Sequence, residues 1–141
     1  MKEKKQNQKM LLGQKAEEMA ANYLLAQNYK ILKRHFYNEK GYHLGEIDLV
    51  VEDPMGQLVF VEVKARRGSG KKVLPEENLT PAKIKKLYRI IEHYLKLNNW
   101  QERSWRLDAI LVNFDFKTRK SSLRQIKLTW QIGRASCRER V

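Results

Sequence analysis

Gly45-Glu46-Ile47-Asp48-Leu49-Val50 and Val59-Phe60-Val61-Glu62-Val63-Lys64 are the two stretches that decide the fold of this chain. Both are rich in β-branched residues and alternate in polarity, so each reads as a strand. Asp53-Pro54-Met55-Gly56 between them is turn chemistry, which makes the pair a hairpin. With Val51 opposite Val59, Asp48 falls opposite Glu62 and Glu46 opposite Lys64. That register collects Ile47, Leu49, Val51, Val59, Val61 and Val63 on one apolar face. Slipping by one residue would mix charge into this face, so the hydrophobic pattern selects the first register. The other face then carries three carboxylates and one ammonium at one end, with Val50, Leu58 and Phe60 at the other.

Two chemistries fit that charged end. One is a solvated hairpin face with a Glu46–Lys64 cross-strand ion pair. The other is a divalent-metal site, since carboxylate oxygens suit Mg²⁺ or Mn²⁺ and magnesium sites use one or two carboxylates plus water and substrate phosphate. Apolar residues flank the charges on both strands, and two close carboxylates repel unless something positive lies between them.

The whole chain narrows the field. Its 141 residues suit one domain with a genuine core. Hydrophobic content of 42% and charged content of 32% fit a soluble globular protein. No apolar run reaches the length of a membrane span and no signal peptide is visible, so the expected location is cytoplasmic, with no membrane partner. The formal charge of +13 favours polyanions, nucleic acid first and an acidic membrane surface second.

At the C-terminus, Gln131 to Val141 has no apolar period and follows abruptly on a strand-like segment. It is similar to a translated adapter read-through and is set aside from the fold, with an ordinary disordered basic tail as the alternative. Discounting its three arginines and one glutamate lowers the charge from +13 to +11, so the basic character survives. Without Cys137, the sole cysteine, no thiolate chemistry remains. The expected organisation is a basic disordered arm at 1–9, a domain at 10–130 and a non-native or disordered tail at 131–141.

Between Met10 and Asn28, Leu12, Ala16, Met19, Ala20, Tyr23 and Leu24 recur at amphipathic-helix spacing. Glu17 lies beside that stripe, either as a solvated charge or reaching toward the sheet edge. Tyr29 to Phe36 reads as a first strand, with Tyr29 and Ile31 facing one way and His35 structural or solvated. Asn38 to Leu44 is a polar loop leading to the hairpin.

Beyond Lys64, the stretch Ala65 to Leu79 is a basic loop containing Arg66, Arg67, Lys71 and Lys72, placed where it would meet phosphate held near the hairpin. Thr80-Pro81 opens a second helix as N-cap and first-turn proline, and Asn98-Asn99 ends it. Ile84, Leu87, Tyr88, Ile91 and Leu95 form its buried stripe. Lys83, Lys85, Lys86 and Arg89 make either a solvated face or a phosphate-tracking surface, with no acid interleaved until Glu92.

Arg103 to Val112 is a further strand, in which Asp108 reads as a partner for Arg106. Phe114 to Ser122 reads as a basic connector and Leu123 to Trp130 as a last short strand. Trp100, Trp105 and Trp130 read as packing rather than base-stacking residues. The sequence contains no repeat, Walker loop, serine triad or dinucleotide fingerprint.

The element order calls for an α/β domain, a mixed sheet flanked by helices with core order αβββαβ. Gly45-Glu46-Ile47-Asp48-Leu49 with Phe60-Val61-Glu62-Val63-Lys64-Ala65-Arg66 resembles the signature of the YraN-like family of uncharacterised bacterial proteins. That family resembles the PD-(D/E)xK nucleases, whose restriction-endonuclease-like fold includes Holliday-junction resolvases. Gly13, Glu17, Ala20, Tyr23 and Leu24, then Lys83 and Leu87, then Arg106-Leu107-Asp108 extend the likeness over about Leu12 to Trp130. The resemblance implies Asp48 and Glu62 as metal ligands, Glu17 as a helical carboxylate beside the metal, and Lys64 as the lysine that orients water or offsets charge. Glu46 would support the site or pair with Lys64. His35-Phe36-Tyr37 departs from the asparagine and arginine usual before the GEID run.

The expectation is therefore a Mg²⁺- or Mn²⁺-dependent endonuclease on DNA, branched or flapped DNA included. Arg66, Arg67, Lys71, Lys72, Lys83, Lys85, Lys86 and Arg89 would contact nucleic acid, and a homodimer is left open. The alternatives are a non-catalytic nucleic-acid-binding accessory protein with the same fold, and a purely structural partner of a larger assembly.

Overall fold

The computed structural model describes residues 2–37, 45–68 and 80–128. Its order is helix, three strands, helix, two strands: α1 (Lys2–Ala26), β1 (Lys30–Tyr37), β2 (Glu46–Glu52), β3 (Leu58–Arg67), α2 (Pro81–Leu97), β4 (Trp105–Asp115) and β5 (Lys120–Lys127). The strands form one mixed sheet in the order β1-β2-β3-β4-β5. Only β3 and β4 pair in parallel, and α2 lies in the connection between them. The expected α/β architecture is therefore present, with a fifth strand completing the sheet.

The two helices cover opposite faces. Ala16, Ala20, Ala21 and Leu24 of α1 pack with Leu49, Val51, Val59, Val61, Ile110, Val112 and Phe114. Leu87, Ile90, Ile91, Tyr94 and Leu95 of α2 pack with Ile47, Val50, Leu58, Phe60, Leu107 and Leu128. Phe60, fully buried, meets the edges of Tyr94 and Trp105 at centroid distances of 5.6 and 5.7 Å. Trp100 and Trp105 are packing residues of this second layer.

Local signals account for the element ends. Asn28 and Asn99 both take the left-handed conformation, with φ of 67° and 56°, which asparagine tolerates. The following amides, Tyr29 and Trp100, bond back to Leu24 and Leu95 carbonyls at 2.9 and 2.8 Å, closing both helices as Schellman-type caps. Thr80 accepts the Lys83 amide at 3.3 Å ahead of Pro81 at the start of α2. In the hairpin, Asp53 Oδ1 accepts the Met55 and Gln57 amides while Gly56 turns at φ +90°.

Several sequence expectations change. Helix α1 begins at Lys2 rather than Met10, because Lys, Glu and Gln are good helix formers and no proline or glycine interrupts 2–12. Strand β3 runs on through Arg66 and Arg67, which pair with Asn113 and Phe114 of β4 instead of opening a loop. The connector expected at Phe114 to Ser122 is a tight hairpin turning at 116–119, with Arg119 at φ +56° and Asp115 accepting the Lys117 amide. Trp130, Lys71, Lys72, the loop at 38–44 and the tail at 131–141 lie outside the described residues.

The hairpin register also departs at one end. Pairing runs from Glu52 opposite Leu58, through Val51 opposite Val59, to Leu49 opposite Val61. The expected continuation, Asp48 opposite Glu62 and Glu46 opposite Lys64, is replaced: Asp48 Oδ2 accepts the Val63 amide at 2.8 Å, while β2 stays paired with β1 as far as Glu46 opposite Tyr37. Ile47 packs with Val50 on the α2 side, not with Leu49 on the α1 side. Strict two-residue alternation fails here beside His35, which lies between the Arg34–Leu49 and Phe36–Ile47 pairs and sits at φ +52°.

Candidate metal centre

The fold gathers three elements at this irregular end of the sheet. Small alanines at 16, 20 and 21, all fully buried, seat α1 close against the strands. That places Glu17, next in sequence to Ala16, at the sheet rim. The left-handed backbone at His35 turns its ring to the same side, and the end of the β2–β3 ladder frees Asp48 to reach the Val63 amide. One ligand atom each from Glu17, His35 and Asp48 then lies within 4.8 Å of the others.

His35 bridges two carboxylates. Its Nε2 is 2.7 Å from Glu17 Oε2 and its Nδ1 is 2.5 Å from Glu46 Oε1. The Glu46 hydrogen bond, opposed by partial burial and helped by the Glu17 charge, raises the imidazole pKa above its ordinary value. Burial raises Glu17, with the His35 charge acting against it and Glu46 adding to it.

Asp48 and Glu62 carry the larger strain. Burial pushes Asp48 up to about 6, against the stabilising Val63 amide and with repulsion from Glu17 and Glu46. Burial and the Asp48 charge push Glu62 up to about 8, despite Lys64 and Lys83 nearby. Lys64 Nζ is 4.0 Å from Glu62 Oε2, the limit of an ion pair. A site of oxygen donors with one imidazole, in which two carboxyls resist ionising together, fits a divalent cation. Charge of the opposite sign between them is what the chain's own side chains undersupply.

Of the residues singled out in the sequence, Glu17 and Asp48 come together in a group that could hold a metal ion. Glu62 adjoins them electrostatically but is not one of the three-donor group. Glu46 touches His35 instead of Lys64. His35, read in the sequence as structural or solvated, joins Glu17 and Asp48 as a third possible donor. The register shift between Ile31 and Lys33 breaks the strand's parity, so spacing in β1 carried no signal for it. Asp108 belongs elsewhere: it is fully buried and bonded to Arg106 at 3.1 Å and Gln125 at 2.8 Å.

An open cleft of about 400 Å³ adjoins Lys64, lined by Lys64, Ala65, Arg66, Arg67 and Lys83. Arg66 Nε within it is buried and, among the described residues, has no hydrogen-bond partner. The Arg67 guanidinium lies over the Phe116 ring, 4.6 Å from its centroid. Lys85, Lys86 and Arg89 are exposed on α2 and do not line this cleft.

Residues 16–112 match the model of the uncharacterised protein family UPF0102. The chain belongs to that family. A UPF0102 protein of Desulforamulus reducens is 34% identical over 121 residues, covering 85% of this chain and 93% of the relative. One from Dichelobacter nodosus is 37% identical over 100 residues, 71% and 75% of the two chains. One from Syntrophomonas wolfei is 47% identical over 85 residues, 60% and 69%. The UPF0102 match spans the α1 face, the hairpin, α2 and most of β4, and so contains every residue of the candidate centre. Among the described residues, no helix is long and apolar enough to cross a membrane.

Proposed function

We propose that this UPF0102 protein is a divalent-metal-dependent nuclease acting on DNA in the cytoplasm. The observation that carries the reading is the convergence of Glu17, His35 and Asp48 within 4.8 Å at one sheet end. Beside it stand partly buried Glu62, Lys64 and a cleft lined by further cations. The resemblance of its GEID and FVEVKAR stretches to the PD-(D/E)xK pattern points the same way.

A bound Mg²⁺ or Mn²⁺ supplies Lewis-acid stabilisation of the phosphate and a nucleophilic water near neutral pH. The chain's own groups do the rest. Glu17 and Asp48 would hold the ion, and its charge would favour the ionised form of Glu62 on the β3 side. Lys64, half exposed on the same strand, orients water or offsets charge developing on the phosphate. Arg66, Arg67 and Lys83 position the strand through its phosphates without reading bases. A homodimer would present two such centres to a duplex.

The position of Glu62 outside the three-donor group favours one other reading, a nucleic-acid-binding accessory protein that does not cleave. The full chain, incubated with labelled junction, flap, duplex and single-stranded DNA in Mg²⁺, Mn²⁺ or chelator, separates the two. Metal-dependent cleavage lost in Asp48→Ala, Glu62→Ala and Lys64→Ala supports the nuclease. Salt-sensitive binding without cleavage, equal in parent and variants, supports the accessory protein.

A further inference from the structure

Besides its two carboxylates, the Glu17–Asp48 group contains one nitrogen donor, and the surroundings of that nitrogen have the form of a built metal ligand. We infer that His35 is a direct ligand and makes this centre select Mn²⁺ over Mg²⁺. The inference rests on the metal reading above and goes beyond it in assigning the ligand and the ion.

Three features on separate elements carry it. A ring nitrogen of His35 lies within 4.8 Å of ligand atoms on Glu17 and Asp48, with Nε2 on the Glu17 side at 2.7 Å. The other nitrogen, Nδ1, is held by Glu46 Oε1 at 2.5 Å. A ligating histidine commonly donates its second ring N–H to a carboxylate, which fixes the tautomer. In the ion-free protein the opposite nitrogen, Nε2, is engaged by Glu17 Oε2, and a bound ion would take the place of the proton between them. Finally, the left-handed φ of +52° at His35 is a costly conformation inside a strand, and it is what turns the ring toward α1. Arg34, its neighbour, also reaches α1, at Glu18, so two consecutive side chains face one helix where alternation would allow one.

The chemical consequence is selectivity. Mg²⁺ takes oxygen ligands and keeps much of its water, whereas imidazole adds affinity for first-row transition ions. Mn²⁺ is the weakest binder of that series and is itself suited by oxygen donors, yet it gains more from a nitrogen donor than Mg²⁺ does. Two carboxylates plus one imidazole therefore discriminate where carboxylates alone would not. His35→Asn is the informative variant, because asparagine also tolerates the left-handed region and removes the ring without changing the backbone demand.

Mn²⁺ and Mg²⁺ affinities are measured by calorimetry on the full chain and on His35→Asn and Asp48→Asn. In parallel, electron spin-echo spectroscopy of Mn²⁺ on the unaltered chain detects a directly bound imidazole nitrogen. The expected result is nitrogen coupling in the parent, with Mn²⁺ affinity falling about tenfold or more in His35→Asn while Mg²⁺ affinity changes little. Mn²⁺ binding that depends on Asp48 but shows no nitrogen coupling, and is unchanged in His35→Asn, overturns this inference and leaves the metal centre standing. Failure of the parent to bind either ion overturns both. The spectrum is taken on the parent, so a folding defect in a variant cannot shelter the inference.

Discussion

The Val63 amide donates to the Asp48 carboxylate at 2.8 Å, just past the point where the β2–β3 ladder ends at Leu49 opposite Val61. A side chain thus takes the place of a ladder carbonyl. The consequence is a part-buried carboxylate anchored to β3 yet directed toward Glu17 and His35. One hydrogen bond both satisfies an amide that the ladder leaves over and fixes a candidate ligand.

That arrangement makes stability depend on pH in the ion-free protein. Asp48 is raised to about 6 and Glu62 to about 8, so between the ordinary carboxylate range and pH 8 the folded state holds protons that the unfolded chain has released. Stability then falls as pH rises through this window. His35, raised by its Glu46 contact, acts in the same direction, since its contribution is lost as pH climbs through its folded pKa. Thermal unfolding in chelator should give a melting temperature that declines from pH 5 to pH 8, flattened in Glu62→Gln. A divalent ion should restore stability most at the alkaline end. A flat or rising profile in chelator would remove the electrostatic basis for the site.

Gly45 opens the GEID run at φ +105°. A Cβ there would stand 3.9 Å from Lys86 Cβ, an ordinary contact, so the cost of substitution is conformational rather than steric. Gly45→Ala should destabilise the fold by about 1–3 kcal/mol in urea unfolding. Because Glu46 follows directly, the variant should also loosen the Glu46–His35 contact, visible as an imidazole pKa closer to its ordinary value by NMR titration. Destabilisation without that shift would separate the turn from the site.

The way the chain folds at this end explains what its sequence disclosed. Leu49, Val51, Val59 and Val61 could be assigned to one face because alternation and an Asp-Pro-Met-Gly turn agree on a single register. Ile47 could not, because alternation breaks between Leu49 and Ile47, beside the left-handed His35 of another strand, and nothing in the pattern of Tyr29 to Phe36 marks His35 for that conformation. Arg66 and Arg67 read as loop because charge followed by glycine usually is; their strand pairing comes from β4, about forty-five residues later. The same limit hid the His35 role. Its partners Glu17, Glu46 and Asp48 sit on α1 and β2, so their meeting is a property of the assembled layers rather than of any local spacing.

At the opposite end of β3, Arg106 organises a second buried cluster. Its guanidinium bonds Asp108 at 3.1 Å, Asp53 at 3.0 Å, Gln57 at 3.3 Å and Tyr29 Oη at 2.8 Å, tying the hairpin turn and the α1 end to β4. Asp108 is fully buried, so Arg106→Ala leaves its carboxylate with the Gln125 hydrogen bond but without its bonded cation, and should cost up to about 3–5 kcal/mol. The double variant Arg106→Ala, Asp108→Ala should lose less than the sum of the two singles, by about 0.5–3 kcal/mol. Additive losses in urea titrations would mean that the pair does not act as a unit.

The cleft beside Lys64 makes the last prediction quantitative. Arg66, Arg67 and Lys83 line it, whereas Arg89, although exposed and equally charged, does not. If phosphates seat in this cleft, each lining cation removed should lower the slope of log affinity against log salt by about 1. Arg66→Ala and Lys83→Ala should therefore flatten the salt dependence of binding to a short labelled duplex, and Arg89→Ala should leave it near the parent value. Fluorescence anisotropy between low and physiological salt measures all four slopes, with circular dichroism confirming that each variant is folded. Equal slope losses at Arg66, Lys83 and Arg89 would place the polyanion on the general basic surface instead. A parent with no salt dependence would exclude a phosphate-tracking role for the cleft altogether, and the three-donor centre would then need a substrate that is not a polyanion.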